Sequence, residues 1–574
     1  MENAEFAKVF WEIAELLEVK GENPFKIRAY QKAAQNIEAL SENLEEIYKK
    51  GGRDALEEIP GIGAHIAEKI EELIKTGKQK LHQRLLKEFP KGFIELMKTP
   101  GLGPKTAMLL YEKLKIDSRE KLEKAAKAGK LRGLPGMGAK KEENILKGIE
   151  LKKKVSGRHL LNDAWKHADT IVSALKKLKE IKEIVPAGSL RRWKETIGDI
   201  DILVIAEKSE KIMEAFTRLP QVGRVLAKGS TKSSVVLKDG MQADLRVLEP
   251  KSFGAALHYF TGSKQHNIQI RTLGVKKGLK ISEYGVFKKN KYIGGKTEEE
   301  VFKAVGLPWI PPEMREGTGE IEAAQKGKLP KLVELTDIRG DLQMHSKWSD
   351  GGNTIEQMAE YARKLGYEYI AITDHSKAVR VAGGMDEKEV LQQLKEIDEV
   401  NKKLKGITVL KGIEVDILAD GSLDLPDKVL KELDVVVAAV HSRFKMPENE
   451  MTRRIITAFK NKYVNILSHP TGRIIGRREP YQVNMEEIIR AAKDSGTYLE
   501  INAYPERLDI NDIYCRRAKE KGILISIDTD SHIDSQLGYM KYGVAVARRG
   551  WLEKKDIINT NPLAKLMKLL YAKR

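Results

Sequence analysis

The second half of the chain alternates short apolar runs with segments whose apolar residues recur at helical spacing. The apolar runs lie at residues 369–373, 408–413, 435–440, 464–468, 498–501 and 523–527. Strands that alternate with helices pair in parallel, because each helix carries the chain back along the sheet before the next strand begins. The pattern therefore predicts a parallel α/β barrel over residues 337–574, with functional side chains at the carboxyl ends of its strands.

Histidines and carboxylates follow almost every predicted strand of this barrel. They are Asp374 and His375, Glu414, His441, His469, Asp530 and His532, with His345 and Asp350 after the first strand. One isolated histidine is more often a core residue than a ligand. A ring of imidazoles and carboxylates, however, is the donor set that zinc and manganese prefer. The sequence therefore predicts a multinuclear metal site at the mouth of the barrel.

A second group of chemically active residues precedes the barrel. It consists of Gly188-Ser189-Leu190-Arg191-Arg192 and the strand-like run Asp199-Ile200-Asp201-Ile202-Leu203-Val204-Ile205. Because side chains alternate along a strand, Asp199 and Asp201 share one face. A third carboxylate, Asp244, lies on another strand-like run at residues 243–248.

Three hard oxygen donors suit magnesium, and two such ions about 4 Å apart can activate a hydroxyl and neutralise a leaving pyrophosphate. The Gly-Ser turn offers a hydroxyl and backbone amides to phosphate oxygens, and Arg191 and Arg192 add positive charge. Taken alone, the two aspartates also fit a solvated edge strand or a calcium site. The combination favours nucleotidyl transfer.

Charge and composition indicate the partner and the compartment. The 574 residues include 102 basic and 83 acidic side chains, for a net charge of +19, which favours a polyanion such as nucleic acid. No apolar run reaches the roughly 18 residues needed to cross a bilayer. The single cysteine, Cys515, suits a reducing compartment. We expect a cytoplasmic monomer that does not bind membranes.

A glycine-rich turn that runs into a helix occurs three times in the N-terminal region. Its glycines are Gly61 and Gly63, Gly101 and Gly103, and Gly136 and Gly138. Glycines let the backbone approach a phosphate, and the amides of the following helix point toward it. The trio resembles the helix-hairpin-helix motif of DNA-binding proteins, although any one copy also fits a simple corner between helices.

The N-terminal region also resembles the lyase domain of DNA polymerase beta, at residues 26–34 and 61–69. In that domain the lysine that matches Lys69 forms a Schiff base with an abasic sugar. This chain has His65 where the relative has a lysine and Phe25 where it has a histidine. A charged helix face is usually only solvated, so lyase activity is an open alternative.

The segment at residues 258–267 completes a further resemblance. Together with the Gly188 turn and the three aspartates, it makes residues 1–315 similar to the family X DNA polymerases. The resemblance implies that Asp199, Asp201 and Asp244 bind two Mg²⁺ ions. It also implies that Ser189 and Arg192, beside Gly188, hold the nucleotide phosphates.

Other roles follow from the same resemblance. Tyr259 and Phe260 would pack on the sugar, Gly262 would permit close approach, Asn267 would contact the base, and Arg271 would meet the template strand. Arg246, Glu283 and Tyr284 match residues that shift as the site closes.

The barrel resembles the polymerase and histidinol phosphatase (PHP) family. That resemblance implies up to three Zn²⁺ or Mn²⁺ ions, held by His345, Glu414 and Asp530, by Glu414, His441 and His469, and by Asp350, His375 and His532. It further implies 3′–5′ exonuclease or abasic-site endonuclease activity. The family's first motif usually reads His-x-His, but here Gln343 replaces its first histidine, and an amide oxygen is a poorer zinc ligand than imidazole.

These features predict a multidomain protein of the α and α/β classes. We expect a helical lyase-like DNA-binding domain at residues 1–88, a helical domain with helix-hairpin-helix motifs at 89–155, a nucleotidyltransferase α+β palm at 156–250, a nucleotide- and template-binding subdomain at 251–316, a linker at 317–336 and a (β/α)7-type PHP barrel at 337–574.

The leading hypothesis is a family X DNA polymerase that takes gapped or primed DNA and deoxynucleoside triphosphates for short-gap repair, with a nuclease domain. Two alternatives stay open. One is an RNA-directed or template-free nucleotidyltransferase. The other keeps the polymerase but makes the PHP barrel a structural platform, for which Gln343 is the support.

Overall fold

The computed structural model describes residues 3–574 except 40–42, 60–61, 90–92, 98, 100–101, 103, 140, 144, 147–148 and 150–156. The chain divides into two units, one of residues 1–156 and 476–479 and the other of residues 157–475 and 480–574. Each is described by itself. Among the helices within these described ranges, none is both long enough and apolar enough to cross a membrane.

The smaller unit is helical. Its helices are α1 (Asn3–Val19), α2 (Pro24–Ala39), α3 (Leu44–Glu57), α4 (Ala64–Thr76), α5 (Lys80–Glu88), α6 (Phe93–Met97), α7 (Pro104–Leu114) and α8 (Arg119–Lys127). The apolar stripe of α4, formed by Ile66, Ala67, Ile70 and Leu73, is buried as its spacing predicts. Of the predicted DNA-binding glycines, Gly61, Gly101 and Gly103 lie outside the described residues.

The larger unit begins with a mixed sheet. Its elements are β1 (His159–Leu160), α9 (Leu161–Leu175), β2 (Ile181–Pro186), α10 (Gly188–Arg191), β3 (Thr196–Ile197), β4 (Asp199–Ala206), α11 (Glu210–Thr217), β5 (Val222–Lys228), β6 (Lys232–Leu237) and β7 (Gln242–Leu248). Five strands form one sheet in the order β2-β4-β7-β6-β5. Strands β4 and β7 are parallel neighbours at its centre, so residues at their starts lie side by side.

A smaller α+β region follows this sheet. It contains α12 (Phe253–Thr261), α13 (Lys264–Lys276), β8 (Leu279–Ser282), β9 (Gly285–Lys288), β10 (Lys291–Gly294), α14 (Glu298–Ala304) and α15 (Glu320–Gln325). Helix α15 lies inside the segment that we expected to be a linker. Its Glu320 is fully buried with the His266 ring nitrogen Nδ1 2.8 Å away, so this part of the segment packs as structured protein.

The C-terminal region is a parallel barrel. Its strands are β11 (Gly340–Asp341), β12 (Tyr369–Ile372), β13 (Thr408–Asp416), β14 (Val435–Ala439), β15 (Ile466–Leu467), β16 (Tyr498–Asn502) and β17 (Ile525–Asp528). The seven strands pair in chain order, and every predicted apolar run forms one of them. Beyond β11 and β17 the chain closes the ring, since the His345 amide donates to the Ser531 carbonyl at 2.7 Å.

Helices cover the outside of this barrel. They are α16 (Ile355–Lys364), α17 (Glu387–Lys403), α18 (Asp427–Leu430), α19 (Glu448–Phe459), α20 (Met485–Ser495), α21 (Asp512–Lys521), α22 (Met540–Arg549) and α23 (Leu563–Tyr571). Their apolar faces are buried, as in α16, where Ile355, Met358, Ala359 and Ala362 face inward. This arrangement confirms the predicted barrel.

A buried ion-pair network ties the α+β region together. Arg315 is fully buried, and its guanidinium donates to both carboxylate oxygens of Glu298 and to the Ile310 carbonyl. Arg191 binds the same carboxylate with two hydrogen bonds of 2.8 Å. Burial alone would raise the pKa of Glu298, but the charge of Arg315 and the hydrogen bonds from Arg191 lower it well below its ordinary value. The carboxylate therefore stays ionised between two arginines.

We expect Arg315→Met to destabilise the protein, because it leaves a buried carboxylate with one cation fewer. The expected loss is about 3 kcal/mol of unfolding free energy, measured as a lower urea midpoint. Lys211→Met is the control, since Lys211 forms an exposed pair with Glu180 and such pairs contribute little. An equal fall of the urea midpoint in the two variants, or an unchanged midpoint in Arg315→Met, would contradict the stabilising role of the network.

Candidate functional site

The predicted palm carboxylates lie together at the start of two neighbouring strands. Parallel pairing sets Asp201 of β4 directly beside Asp244 of β7, and Asp199 beside Gln242. On the opposite face of β4, Ile200 and Ile202 are fully buried. Alternation along the strand thus sends the apolar side chains into the core and the carboxylates toward a common surface.

The crowding of these carboxylates shifts the pKa of Asp201. Burial, and then the neighbouring charges of Asp199 and Asp244, raise the pKa of Asp201 to about 7. Burial alone would also raise the pKa of Asp244, but hydrogen bonds from Lys232, Gln242 and Ser234 lower it. A divalent cation between these oxygens would remove the repulsion. The donor set therefore fits the expected magnesium ions.

The Gly188 turn contacts this carboxylate cluster directly. Gly188 has a φ of 64°, in the left-handed region that favours glycine. A Cβ atom at this position would lie 2.6 Å from Asp201 Oδ2. The Ala187 amide also donates to the Asp201 carbonyl at 2.8 Å. A glycine is therefore required for the turn to sit against the carboxylates.

The two arginines of the turn have different surroundings. Arg191 is held by Glu298, so the charge that we expected it to add to the phosphate site is already neutralised. The Nε atom of Arg192 lies 3.1 Å from Glu316 Oε1, and the Arg192 guanidinium also donates to the Thr261 carbonyl. A Cβ atom at Gly262 would lie 3.2 Å from Arg192 Nη1. Gly262 thus leaves room for Arg192 beside the turn.

The predicted nucleotide-binding residues of α12 and α13 form one connected surface. Asn267 Nδ2 donates to the Tyr259 carbonyl at 2.7 Å, and Arg271 Nε donates to the Asn267 carbonyl at 3.4 Å. The Phe260 ring lies 4.3 Å from the Arg246 guanidinium carbon. The Asn267 side-chain oxygen is buried and has no hydrogen-bond partner among the described residues, which leaves one acceptor for a ligand.

The predicted metal ligands converge at the mouth of the barrel. Ligand atoms of His345, Asp350, His375 and His532 all lie within 4.8 Å of one another, and so do those of His375, Glu414 and His441. His345 Nε2 lies 3.1 Å from Asp530 Oδ1, and His469 Nε2 lies 3.1 Å from Glu414 Oε1. The predicted ligands are therefore in contact with one another, although their strands are far apart in sequence.

Several of these groups are close without forming hydrogen bonds. His375 Nδ1 lies 3.0 Å from Glu414 Oε2, but neither atom has a hydrogen-bond partner among the described residues. Burial alone would lower the pKa of His532, yet the Asp350 carboxylate raises it to about 10. Buried donor atoms that converge in this way fit zinc or manganese.

Comparison with protein families matches five separate parts of the chain. The models that match are a helix-hairpin-helix domain at residues 1–79, a SAM-like helix-hairpin-helix tandem at 93–152, the DNA polymerase beta palm at 162–271, the DNA polymerase beta thumb at 256–316 and the PHP domain at 341–504.

Individual relatives agree with this assignment. The DNA polymerase/3′-5′ exonuclease PolX of Bacillus subtilis (strain 168) is 40% identical over 567 residues, which cover 98% of each chain. The chain belongs to the family X DNA polymerases that carry a C-terminal PHP domain. A probable phosphatase of Thermoanaerobacter sp. (strain X514) is 31% identical over 219 residues, 36% of this family X polymerase and 84% of that protein.

Membership in the family confirms the predicted classes of domain. The third glycine-rich turn, with Gly136 and Gly138, falls within the helix-hairpin-helix tandem, as the trio predicted. In the PHP domain His345 Nε2 lies 3.1 Å from Asp530 and 3.6 Å from Glu414, the first set that the resemblance implies. His345 also groups with the Asp350 set, and His375 lies in both groups of converging ligand atoms. How the ligands divide among individual ions stays a prediction.

Gln343 is the departure from the PHP motif. Its side chain is fully buried, and neither its amide oxygen nor its amide nitrogen has a hydrogen-bond partner within the described part of the chain. The Asp530 amide donates to the Gln343 backbone carbonyl at 3.1 Å, so Gln343 lies beside a predicted metal ligand. An unpaired buried amide close to the metal ligands leaves a neutral oxygen available where the family has imidazole.

Sequence reasoning missed several polar residues beside the PHP ligands, among them Arg507 and Asp416. Arg507 Nε lies 3.6 Å from Asp530 Oδ2, and Asp416 Oδ1 accepts a hydrogen bond from the His441 amide at 3.0 Å. Asp416 could have been found, because it follows Glu414 by two residues on the same strand and so shares its face. Arg507 lies in a loop without periodicity, and nothing in the sequence pattern points to it.

We expect Gly188→Ala to lower the rate of nucleotide addition roughly 100-fold, because displacing Asp201 by even 1 Å disrupts the metal geometry. Primer extension measures the effect, and nuclease activity should be unchanged. Gly278→Ala is a matched control: Gly278 has a φ of 69°, and an added Cβ meets no described atom within 4 Å. Equal losses in both variants would assign the effect to backbone strain rather than to the contact with Asp201.

Proposed function

We propose that this family X polymerase fills short gaps in DNA, and that its PHP domain removes 3′-terminal nucleotides or cleaves at abasic sites. The observation that carries the proposal is the pairing of Asp201 with Asp244 beside the Gly188 turn. This arrangement provides a carboxylate cluster in need of cations next to a turn that can bind phosphates. The named activities of the Bacillus subtilis relative support both halves of the proposal.

In nucleotide addition, Asp199, Asp201 and Asp244 would hold two Mg²⁺ ions. When bound, these ions supply activation of the primer hydroxyl and neutralisation of the pyrophosphate. Ser189 and Arg192 bind the phosphates, and Arg192 is already positioned by Glu316 and by the Thr261 carbonyl. These two contacts hold the guanidinium beside the turn before a triphosphate binds, so the guanidinium needs little reorganisation.

The incoming nucleotide would lie along α12 and α13. The rings of Tyr259 and Phe260 meet edge to face with centroids 5.1 Å apart, which gives the sugar a rigid wall. Asn267 fixes the Tyr259 carbonyl and keeps its side-chain oxygen for the base. Arg271 lies on α13 and donates to the Asn267 carbonyl of the same helix, and it would contact the template strand.

In the PHP domain, the converging histidines and carboxylates would hold up to three Zn²⁺ or Mn²⁺ ions. When bound, such ions supply an activated water molecule and polarise the phosphodiester. Arg507 lies beside Asp530 with one guanidinium nitrogen unpaired within the described residues, so it is placed to bind a substrate phosphate. The likeness to a probable phosphatase supports phosphoester chemistry at this site.

The N-terminal helices would bind the DNA backbone. Helix α4 begins after Gly63, and no described side chain caps its first turn, so its amides are available to a phosphate. The net charge of +19 gives the chain a favourable potential for DNA. We propose a cytoplasmic monomer that binds DNA without base specificity.

A second candidate function makes the PHP domain a structural platform. The buried, unpaired amide of Gln343 favours it, because a missing imidazole weakens one metal position. The remaining ligands, with their converging unpaired atoms, favour the nuclease.

We expect two isosteric variants to separate the activities. Asp244→Asn should lower nucleotide addition on a one-nucleotide gap roughly 1,000-fold, because it removes one charge from the cation site. It should leave the nuclease unchanged. Glu414→Gln should remove the nuclease and leave nucleotide addition intact. Each variant serves as the control for the other. Both activities are measured with magnesium and with manganese.

The outcomes decide between the candidates. Retained synthesis in Asp244→Asn would refute the palm assignment. A wild-type protein that hydrolyses no DNA but adds nucleotides normally would support the structural platform. Preferential incorporation of ribonucleotides, or synthesis without a template, would favour the other nucleotidyltransferases.

Lys69 is the proposed lyase nucleophile. It lies on α4 with its side chain 20% exposed and its amine 3.5 Å from Glu68 Oε1. Burial and then the charge of Glu68 raise the pKa of Tyr30 to about 12, so Tyr30 stays a neutral hydroxyl near the same carboxylate. The amine would add to the aldehyde carbon of an abasic sugar and lose water to form an imine.

We expect Lys69→Ala to abolish trapping of the protein on abasic DNA by borohydride, which reduces such an imine. Lys75→Ala on the same helix is the control, because Lys75 is exposed and paired with Glu71. Trapping that persists in Lys69→Ala would move the role to another lysine.

A further inference from the structure

The Gly188 turn of the palm, which is the proposed phosphate site, ends against the PHP domain. Trp193, the residue after Arg192, lies with its ring centroid 4.8 Å from that of Trp165 and 6.2 Å from that of Tyr542 on α22. Its φ of 54° is one that a bulky residue rarely adopts. Aromatic packing from both domains therefore fixes the end of the turn.

A single PHP residue, Arg549 at the end of α22, reaches Arg192 by two routes. Its Nη1 donates to the Arg192 backbone carbonyl at 2.9 Å. The same nitrogen donates to Glu316 Oε1 at 2.9 Å, and that oxygen lies 3.1 Å from Arg192 Nε. Arg549 thus holds both the backbone of Arg192 and the carboxylate that orients its guanidinium.

Arg549 is itself held in place. Its side chain is only 5% exposed, and its other terminal nitrogen pairs with Asp512 of α21. Burial alone would lower the pKa of Arg549, but the charges of Asp512 and Glu316 raise it. The guanidinium is therefore a fixed, charged element of the barrel.

The cluster carries more positive than negative charge. Arg192, Arg549 and Lys194 face the carboxylates of Glu316 and Asp512, while Glu195 is paired with Arg473. Burial, followed by the charge of Arg549, lowers the pKa of Lys194. Excess positive charge at low exposure favours an added anion, and the adjoining turn is the proposed triphosphate site.

We infer that Arg549 of the PHP domain is a positioning residue for the nucleotide triphosphate in the polymerase site, acting through Glu316 and the backbone of Arg192. The inference rests on the proposed function, since it requires Arg192 to bind the triphosphate. It gives the PHP barrel a part in synthesis that is separate from hydrolysis.

The neighbouring residue provides a matched control. Arg548 lies on the same helix, and its Nε lies 2.7 Å from Glu313 in the segment before Glu316. Its Nη1 donates to the Val333 carbonyl. It has no hydrogen bond or ion pair with Arg192 among the described contacts. Arg548→Met therefore removes an ion pair of the same interface without touching the phosphate-binding turn.

The experiment compares Arg549→Met, Arg549→Lys and Arg548→Met with the wild type on a one-nucleotide gap, measuring kcat and KM for the nucleotide. Nuclease activity and thermal stability are measured on the same preparations. We expect Arg549→Met to raise KM about tenfold with a smaller effect on kcat, because it weakens the binding of the triphosphate. Arg549→Lys, which keeps the charge but loses the forked contact, should lie between Arg549→Met and the wild type. Arg548→Met should match the wild type.

Each outcome either supports or overturns the inference. An unchanged KM in Arg549→Met, or an equal rise in Arg548→Met, overturns it. If Arg549→Met loses nuclease activity and stability as well, Arg549→Lys decides, and an unchanged KM in that folded variant overturns the inference. Arg192→Ala distinguishes failure of the proposed function from failure of the inference about Arg549. A wild-type KM in Arg192→Ala refutes the proposed phosphate role of Arg192, and the inference about Arg549 fails with it.

Discussion

The repulsion among Asp199, Asp201 and Asp244 is the constraint around which the polymerase half is built. Two adjacent parallel strands hold Asp201 and Asp244 side by side, and the pKa of Asp201 rises to about 7 because burial and the neighbouring carboxylates disfavour its charge. Such a cluster is unfavourable in the protein alone and becomes favourable with divalent cations. The palm sheet thus holds an unfavourable arrangement that bound cations would relieve, and the Gly188 turn packs directly against it.

The PHP barrel also gathers metal-binding side chains at the ends of parallel strands, but its donor groups differ from those of the palm. Parallel strands deliver His345, Glu414 and His469 to one mouth, where their ligand atoms meet without forming a complete network of hydrogen bonds. Imidazole and carboxylate suit zinc and manganese, whereas the three palm carboxylates suit magnesium. Two sites in one chain can therefore differ in metal and chemistry because their donors differ, even though both rely on strand ends to bring side chains together.

The two halves of the larger unit are connected through charged contacts as well as packing. Arg549 and Arg473 of the barrel reach Glu316 and Glu195, and Tyr542 packs against Trp193. These contacts surround the turn that carries Arg192 rather than the strands that carry the aspartates. Under the proposed function, the barrel would therefore influence where the phosphates bind, while the position of the carboxylates is set within the palm sheet itself.

Periodicity in the sequence determined the palm strands β4 and β7, the barrel strands β12 to β17 and the helical stripe of α4, because burial selects apolar residues at spacings of two or 3.6. It also placed the predicted metal ligands, since parallel strands end at one mouth. Tertiary structure alone decided the partners of the arginines. Arg191 meets Glu298, 107 residues away, and Arg549 meets the Arg192 carbonyl, 357 residues away. Such contacts, like the position of Arg507, depend on how loops and domains pack, and no local pattern of residues encodes them.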